Sequence, residues 1–204
     1  MPSNNDVPFQ IFSANVKGLG SFNKSKFRLS GVNHKIKELS AAAKYQPSIF
    51  VLVESRLRSF HKKIRLPKGC KYGGESSGTE DSKGGIFVYF DNIYSIQDRQ
   101  KDVKTIVSKY AMFLKIHLGD KFMNIVPVYL PSCKNCELVE ILDKISIFLA
   151  DHNILEFSLF GDLNTDFKKP RHKSRALIIK KFLVKHNLFN LAEKLNIDPV
   201  YTWR

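Results

Sequence analysis

The sequence predicts an α/β (α+β) fold, with sheets that include antiparallel pairing and are covered by helices. Three observations predict it. Short apolar runs rich in β-branched and aromatic residues crowd the middle of the chain, two later stretches carry apolar residues at helical spacing, and strands and helices mix without strict alternation. With 204 residues, 43% of them hydrophobic and 25% charged, the chain can bury one sizeable core. No repeat, low-complexity tract or Pro/Gly/Ser-rich linker divides it, so a single domain over 1–204 is expected.

In chain order, PFQIFSANV (8–16) reads as a strand ending at Asn15, followed by a loop at Gly18-Leu19-Gly20. Val32, Ile36, Leu39, Ala42 and Ala43 predict an amphipathic helix over 32–45, stopped before Pro47. SIFVLVE (48–54) is a fully apolar strand that ends on a carboxylate. GGIFVYF (84–90), YAMFLKIHL (110–118) and FMNIVPVYL (122–130) are strands by content; Pro127 predicts an irregularity or an exposed edge in the last. Leu138, Ile141, Leu142, Ile145, Phe148 and Leu149 share one face of a helix over 138–153. A strand at 158–160 follows, then a helix over 175–189 with Ser174 as N-cap, and the chain closes on the short strand VYTWR.

The charge balance narrows the partners. Lys and Arg number 33 against 19 Asp and Glu, a formal charge of +14, so a polyanion is the first partner to consider. The amino terminus shows no basic segment leading into an apolar one, and no stretch approaches a membrane span, so neither secretion nor membrane insertion is expected. Three cysteines are too few for a disulfide framework, and Cys133-Lys-Asn-Cys136 lacks the second pair a zinc site needs.

The chemistry gathers at strand ends. Asn15, Glu54, Tyr129, and Asp162 with Asn164 each close a predicted strand. Singly each has a dull account, as turn former, solvated carboxylate or interface aromatic. Jointly they are the parts that phosphodiester hydrolysis needs. A magnesium ion is held by one or two carboxylates beside a phosphate, and Glu54 fits. Attacking water needs a base, for which Asp162 is the candidate. Developing charge on phosphoryl oxygens needs fixed donors, of which Asn15, Asn164 and Tyr129 are examples.

The ordered set SANVKGL (13–19), VLVESRL (51–57), GGIFVYF (84–90), VYLPS (128–132), GDLNTD (161–166) and YTWR (201–204) resembles the endonuclease/exonuclease/phosphatase superfamily. Within it, the set looks most like the endonuclease domain preceding reverse transcriptase in LINE-type (non-LTR) retrotransposons. The resemblance spans residues 8–204 and implies a deoxyribonuclease I-like two-sheet β-sandwich flanked by helices, with Mg2+ (Mn2+ as the alternative) at one edge. It implies that Glu54 ligates the metal, Asn15 helps position metal and phosphate, Tyr129 bonds a phosphate oxygen, Asp162 orients or deprotonates water, and Asn164 holds the scissile phosphate. Asp166 is left as a turn or cap residue. The family pattern continues to an Ile-Asp-Tyr segment and a Ser-Asp-His motif, whereas this sequence stops at Arg204. His34, His61, His117, His152, His172 and His186 all stand in other contexts, so a domain incomplete at its C-terminus, lacking its last strands and weakly active, is expected.

Two basic runs follow the motif residues: RLRSFHKKIRLPKGCK (56–71), with Lys62, Lys63 and Arg65, and KKPRHKSR (168–175), with Lys168, Lys169, Arg171, Lys173 and Arg175. They are the candidate nucleic-acid contacts, weighed against a solvated basic face. DNA is the expected partner, with a reverse transcriptase domain as neighbour in an intact element, and the nucleus is the expected location if the target is genomic. The alternatives are a catalytically impaired nucleic-acid-binding remnant and an inositol-phosphate or lipid phosphatase of the same superfamily.

Overall fold

A computed structural model describes residues 10–15, 36–41, 48–55, 64–76, 84–168 and 170–189. Strands β1 (Gln10–Asn15), β2 (Ser48–Val53), β3 (Cys70–Ser76) and β4 (Ile86–Asp91) form one sheet, ordered β1-β2-β4-β3. Strands β5 (Val103–Val107), β6 (Ala111–Leu118), β7 (Lys121–Tyr129) and β8 (Ser158–Asp162) form the other, ordered β5-β6-β7-β8. Each sheet holds one parallel pair, β1 with β2 and β7 with β8, and is otherwise antiparallel. Helix α1 (residues 36–41 as described) precedes β2, the single turn α2 (Arg99–Asp102) precedes β5, α3 (Asn135–Asp151) joins β7 to β8, and α4 (Lys173–Lys185) follows β8.

Alternation along the strands builds four layers. Ile49, Val51 and Val53 of β2 and Ile86, Val88 and Phe90 of β4 meet Met112, Leu114, Ile116, Ile125 and Tyr129 between the sheets. Phe50, Leu52, Phe87 and Tyr89 point the other way, onto Ile36 of α1. The Tyr89 hydroxyl lies 3.2 Å from Ser40 Oγ, and burial pushes its phenol pKa up. On the far side, Ala111, Phe113, Val126 and Val128 pack against Leu138, Ile141, Leu142 and Ile145 of α3 and Ile179 and Phe182 of α4. Each fully buried Val, Leu, Ile or Phe side chain among them contributes about 1.5–3 kcal/mol. Because β2 and β4 are covered on both faces, their sequences are continuous apolar runs.

Several expectations are refined. Pro127 lies inside its sheet, since β7 pairs with both β6 and β8, so the edge reading does not hold. No register shift marks Pro127 either: the β6–β7 register runs unchanged from Leu114↔Ile125 to Ala111↔Val128, and the proline, which has no N–H to give, stands opposite Phe160 of β8. The N-cap of α4 is His172 rather than Ser174, and the helix stops at Lys185, where Asn187 turns to φ 53°. Strands β3 and β5 were not expected. The predicted strand VYTWR and the outer parts of the 32–45 helix lie outside the described residues.

Candidate active site

The parallel pairs bring the strand ends together. Asn15 stands opposite Val53 on β1 and β2, so it shares the inward face that Val53 occupies. Tyr129 stands opposite Asp162 on β7 and β8, again on the inward face. With β1 packed against β8 across the sandwich, Asn15 Nδ2 donates to Asp162 Oδ2 at 2.6 Å. The second Asp162 oxygen accepts from the Asn164 amide at 2.8 Å. Asn164 Nδ2 in turn donates to the Leu130 carbonyl at 2.8 Å, and the Leu130 amide returns to the Asp162 carbonyl at 2.9 Å. The loop leaving β8 is thereby stitched to the loop leaving β7.

Gly161 makes this approach possible. Its φ is 143°, and a Cβ there would lie 1.8 Å from the Val128 carbonyl oxygen. Asn164 takes φ 49°, which its short amide tolerates. Asp166 closes an Asx turn by accepting from the Lys168 amide at 2.9 Å, the local role expected of it.

Glu54 follows Val53 directly, at the β2 end beside Asn15, and is buried with φ 56°. Left-handed backbone at a glutamate is uncommon, and the next residue is held by a Ser55 amide bond to the Gly85 carbonyl at 3.1 Å. Tyr129 is only 5% exposed, its ring stacked on Tyr110 at 6.4 Å. Burial first, then Cys133 and Glu137, push the Tyr110 phenol up, which keeps it a protonated donor.

Among the described residues no three His, Cys, Asp or Glu side chains form a metal cage. A hard ion that keeps several waters needs less. Glu54 follows the Val53 that stands opposite Asn15, and a carboxylate and an amide oxygen are hard donors of the kind that magnesium takes. No described histidine joins the cluster through a strand end. His117 pairs with Asp102, Nε2 to Oδ2 at 3.4 Å, but its register partner is Phe122, at the opposite end of β6 and β7 from Tyr129.

The basic candidates divide. Arg65, Lys168, Arg171 and Lys173 are exposed; Lys62, Lys63 and Lys169 lie outside the described residues. Arg175 is different, at 5% exposure. Its Nε donates to Thr165 Oγ1 at 3.1 Å and its Nη2 to the Leu163 carbonyl at 3.0 Å and the Leu130 carbonyl at 3.2 Å. It braces the Asp162–Asn164 loop from behind instead of lying on the solvated basic face. The signal was present: Arg175, Ala176, Ile179 and Phe182 occupy the inward positions of α4.

No family model matches the chain, and no curated protein does. Solved structures do. An AP endonuclease from Leishmania major superposes with a TM-score of 0.60 at 11% identity, over 92% of this chain and 68% of that one. The endonuclease domain of TRAS1, a telomere-specific non-LTR retrotransposon, gives 0.60 at 17% identity, over 90% and 73%. A 3′ phosphatase, NExo, from Neisseria, bound to a product DNA hairpin, gives 0.50 at 16% identity, over 85% and 70%.

Proposed function

We propose that this chain, which carries the fold of the endonuclease/exonuclease/phosphatase superfamily, is a Mg2+-dependent endonuclease that nicks DNA for a retrotransposon-type element. The observation that supports it most is the Asn15–Asp162 hydrogen bond, which joins two side chains from opposite sheets and 147 residues apart at one strand-end cluster with Glu54 and Tyr129.

In this reading Asp162, fixed by Asn15 and by the Asn164 amide, accepts a proton from the attacking water. The new P–O bond forms as the bond to the leaving oxygen breaks, and that oxygen takes a proton from solvent. Asn164 keeps one N–H beyond its bond to Leu130, and with the Tyr129 hydroxyl it donates to the phosphoryl oxygens. Glu54 and Asn15 would hold Mg2+, or Mn2+ in its place, whose charge when bound offsets the charge gathering on those oxygens. Exposed Lys168, Arg171 and Lys173 supply attraction for the DNA backbone. A reverse transcriptase domain encoded by the same element and a nuclear site of action belong to the same proposal.

The test is relaxation of supercoiled plasmid in Mg2+. Chelator should stop it, and Asp162→Ala or Glu54→Ala should each slow it by about a hundredfold or more. Undiminished nicking by both variants would remove the mechanism.

A further inference from the structure

We propose that the cleft between the N-termini of α3 and α4 is a phosphate subsite, which in the proposed reaction grips a backbone phosphate neighbouring the one being cut. The cleft has a volume of about 300 Å³ and is lined chiefly by Lys134, Asn135, His172, Ser174 and Arg175. Cavities of this size are sufficient for a small ligand.

Two helix ends meet there. The N-cap residues are Lys134 for the 17-residue α3 and His172 for the 13-residue α4, and neither helix receives a side-chain cap. The first intrahelical bonds run from the Leu138 amide to Lys134 and from the Ala176 amide to His172. The amides ahead of them therefore have no acceptor within their helices, and both dipoles present their positive ends. Asn135 Nδ2 bonds Ser174 Oγ at 3.0 Å, tying the two first turns together.

A buried cation makes this more than a pair of helix ends. Arg175 lines the cleft, and its Nη1 is shielded from solvent with no hydrogen-bond partner among the described residues, while its other nitrogens are all used. A buried guanidinium N–H without an acceptor is costly, and an oxyanion in the cleft supplies one. None of the lining residues is acidic, and Glu137, the acidic residue in the first turn of α3, is not among them. The cleft also adjoins the candidate site: the Leu130 carbonyl accepts from Arg175 Nη2 on one side and from Asn164 Nδ2 on the other. A backbone phosphate bound at Arg175 is thus one carbonyl away from the group proposed to hold the scissile one.

The assignment of the phosphate to nucleic acid rests on the nuclease reading; the pocket itself does not. Binding is therefore measured in chelator, with no cleavage. Inorganic phosphate, titrated at constant ionic strength against chloride, should shift the His172 ring signals saturably, and duplex DNA should displace it. Lys134→Ala, which keeps the His172 reporter and spares the buried Arg175 and so the loop it braces, should weaken the phosphate response. The double variant with His172→Ala removes both contacts and should make the log-log salt dependence of DNA binding shallower by about 0.9. An unmoved His172 signal, or a salt slope unchanged in the double variant, overturns the subsite. Saturable phosphate binding that DNA cannot displace overturns the backbone assignment in favour of a free phosphate. A chain that passes these tests yet never nicks plasmid refutes the nuclease reading alone.

Discussion

Asn15 Nδ2 lies 2.6 Å from Asp162 Oδ2, and this one hydrogen bond fastens the end of β1 in one sheet to the end of β8 in the other. It orients a carboxylate whose remaining oxygen is held by the Asn164 amide.

Loss of that bond should be felt in rate before stability. Asn15→Ala leaves Asp162 one donor short and free to rotate, so nicking should fall about a hundredfold. Plasmid relaxation by the variant, alongside circular dichroism matching the parent, checks this; unaltered rates would mean that Asn15 serves only the fold.

Gly161→Ala should damage the fold itself. The added methyl would meet the Val128 carbonyl at 1.8 Å in a backbone region that L-residues avoid, forcing β8 away from β7. A loss of about 3 kcal/mol is expected from strain and overpacking, read as a lower midpoint in urea unfolding.

Arg175→Lys keeps the charge but not the fork. Three acceptors, Thr165 Oγ1 and the carbonyls of Leu130 and Leu163, would share one ammonium. Stability should drop by about 2 kcal/mol, measurable by denaturant titration; a surface-like change within about 0.5 kcal/mol would contradict the brace.

Acid should loosen the α3–α4 contact. His186 Nε2 lies 2.8 Å from Ser146 Oγ, and its pKa is lowered by burial first and by Lys185 second. A histidine whose folded pKa is depressed takes its proton more readily when unfolded. Its contribution is therefore full above the unfolded value, near about 6.5, and is lost as pH falls through the folded one. Thermal midpoints should decline on acidification across that window, and His186→Gln should flatten the decline.

Strands with apolar alternation or continuous apolar character were legible because burial dictates their composition. β3, CKYGGES, was not. Gly74 sits where a Cβ would lie 2.8 Å from Met112 Cε, and Gly73 where one would meet the Phe90 ring at 2.8 Å, so close approach of neighbours removed the side chains that mark a strand. β5 follows the polar turn of α2 and breaks its own ladder between Thr105 and Val107, which blurs its pattern. The strand-end residues were readable as chemistry, yet their convergence was not, since register and sheet pairing are properties of the whole chain. Arg175 was read by charge when its helical phase placed it inward.

The pairing of first strand with last described strand has a consequence in time. A ribosome releases Asn15 long before Asp162 exists, and the 147-residue separation means that no early intermediate can make this bond. Synthesis itself therefore imposes an order, in which the first sheet must wait for the second before this inter-sheet bond can form.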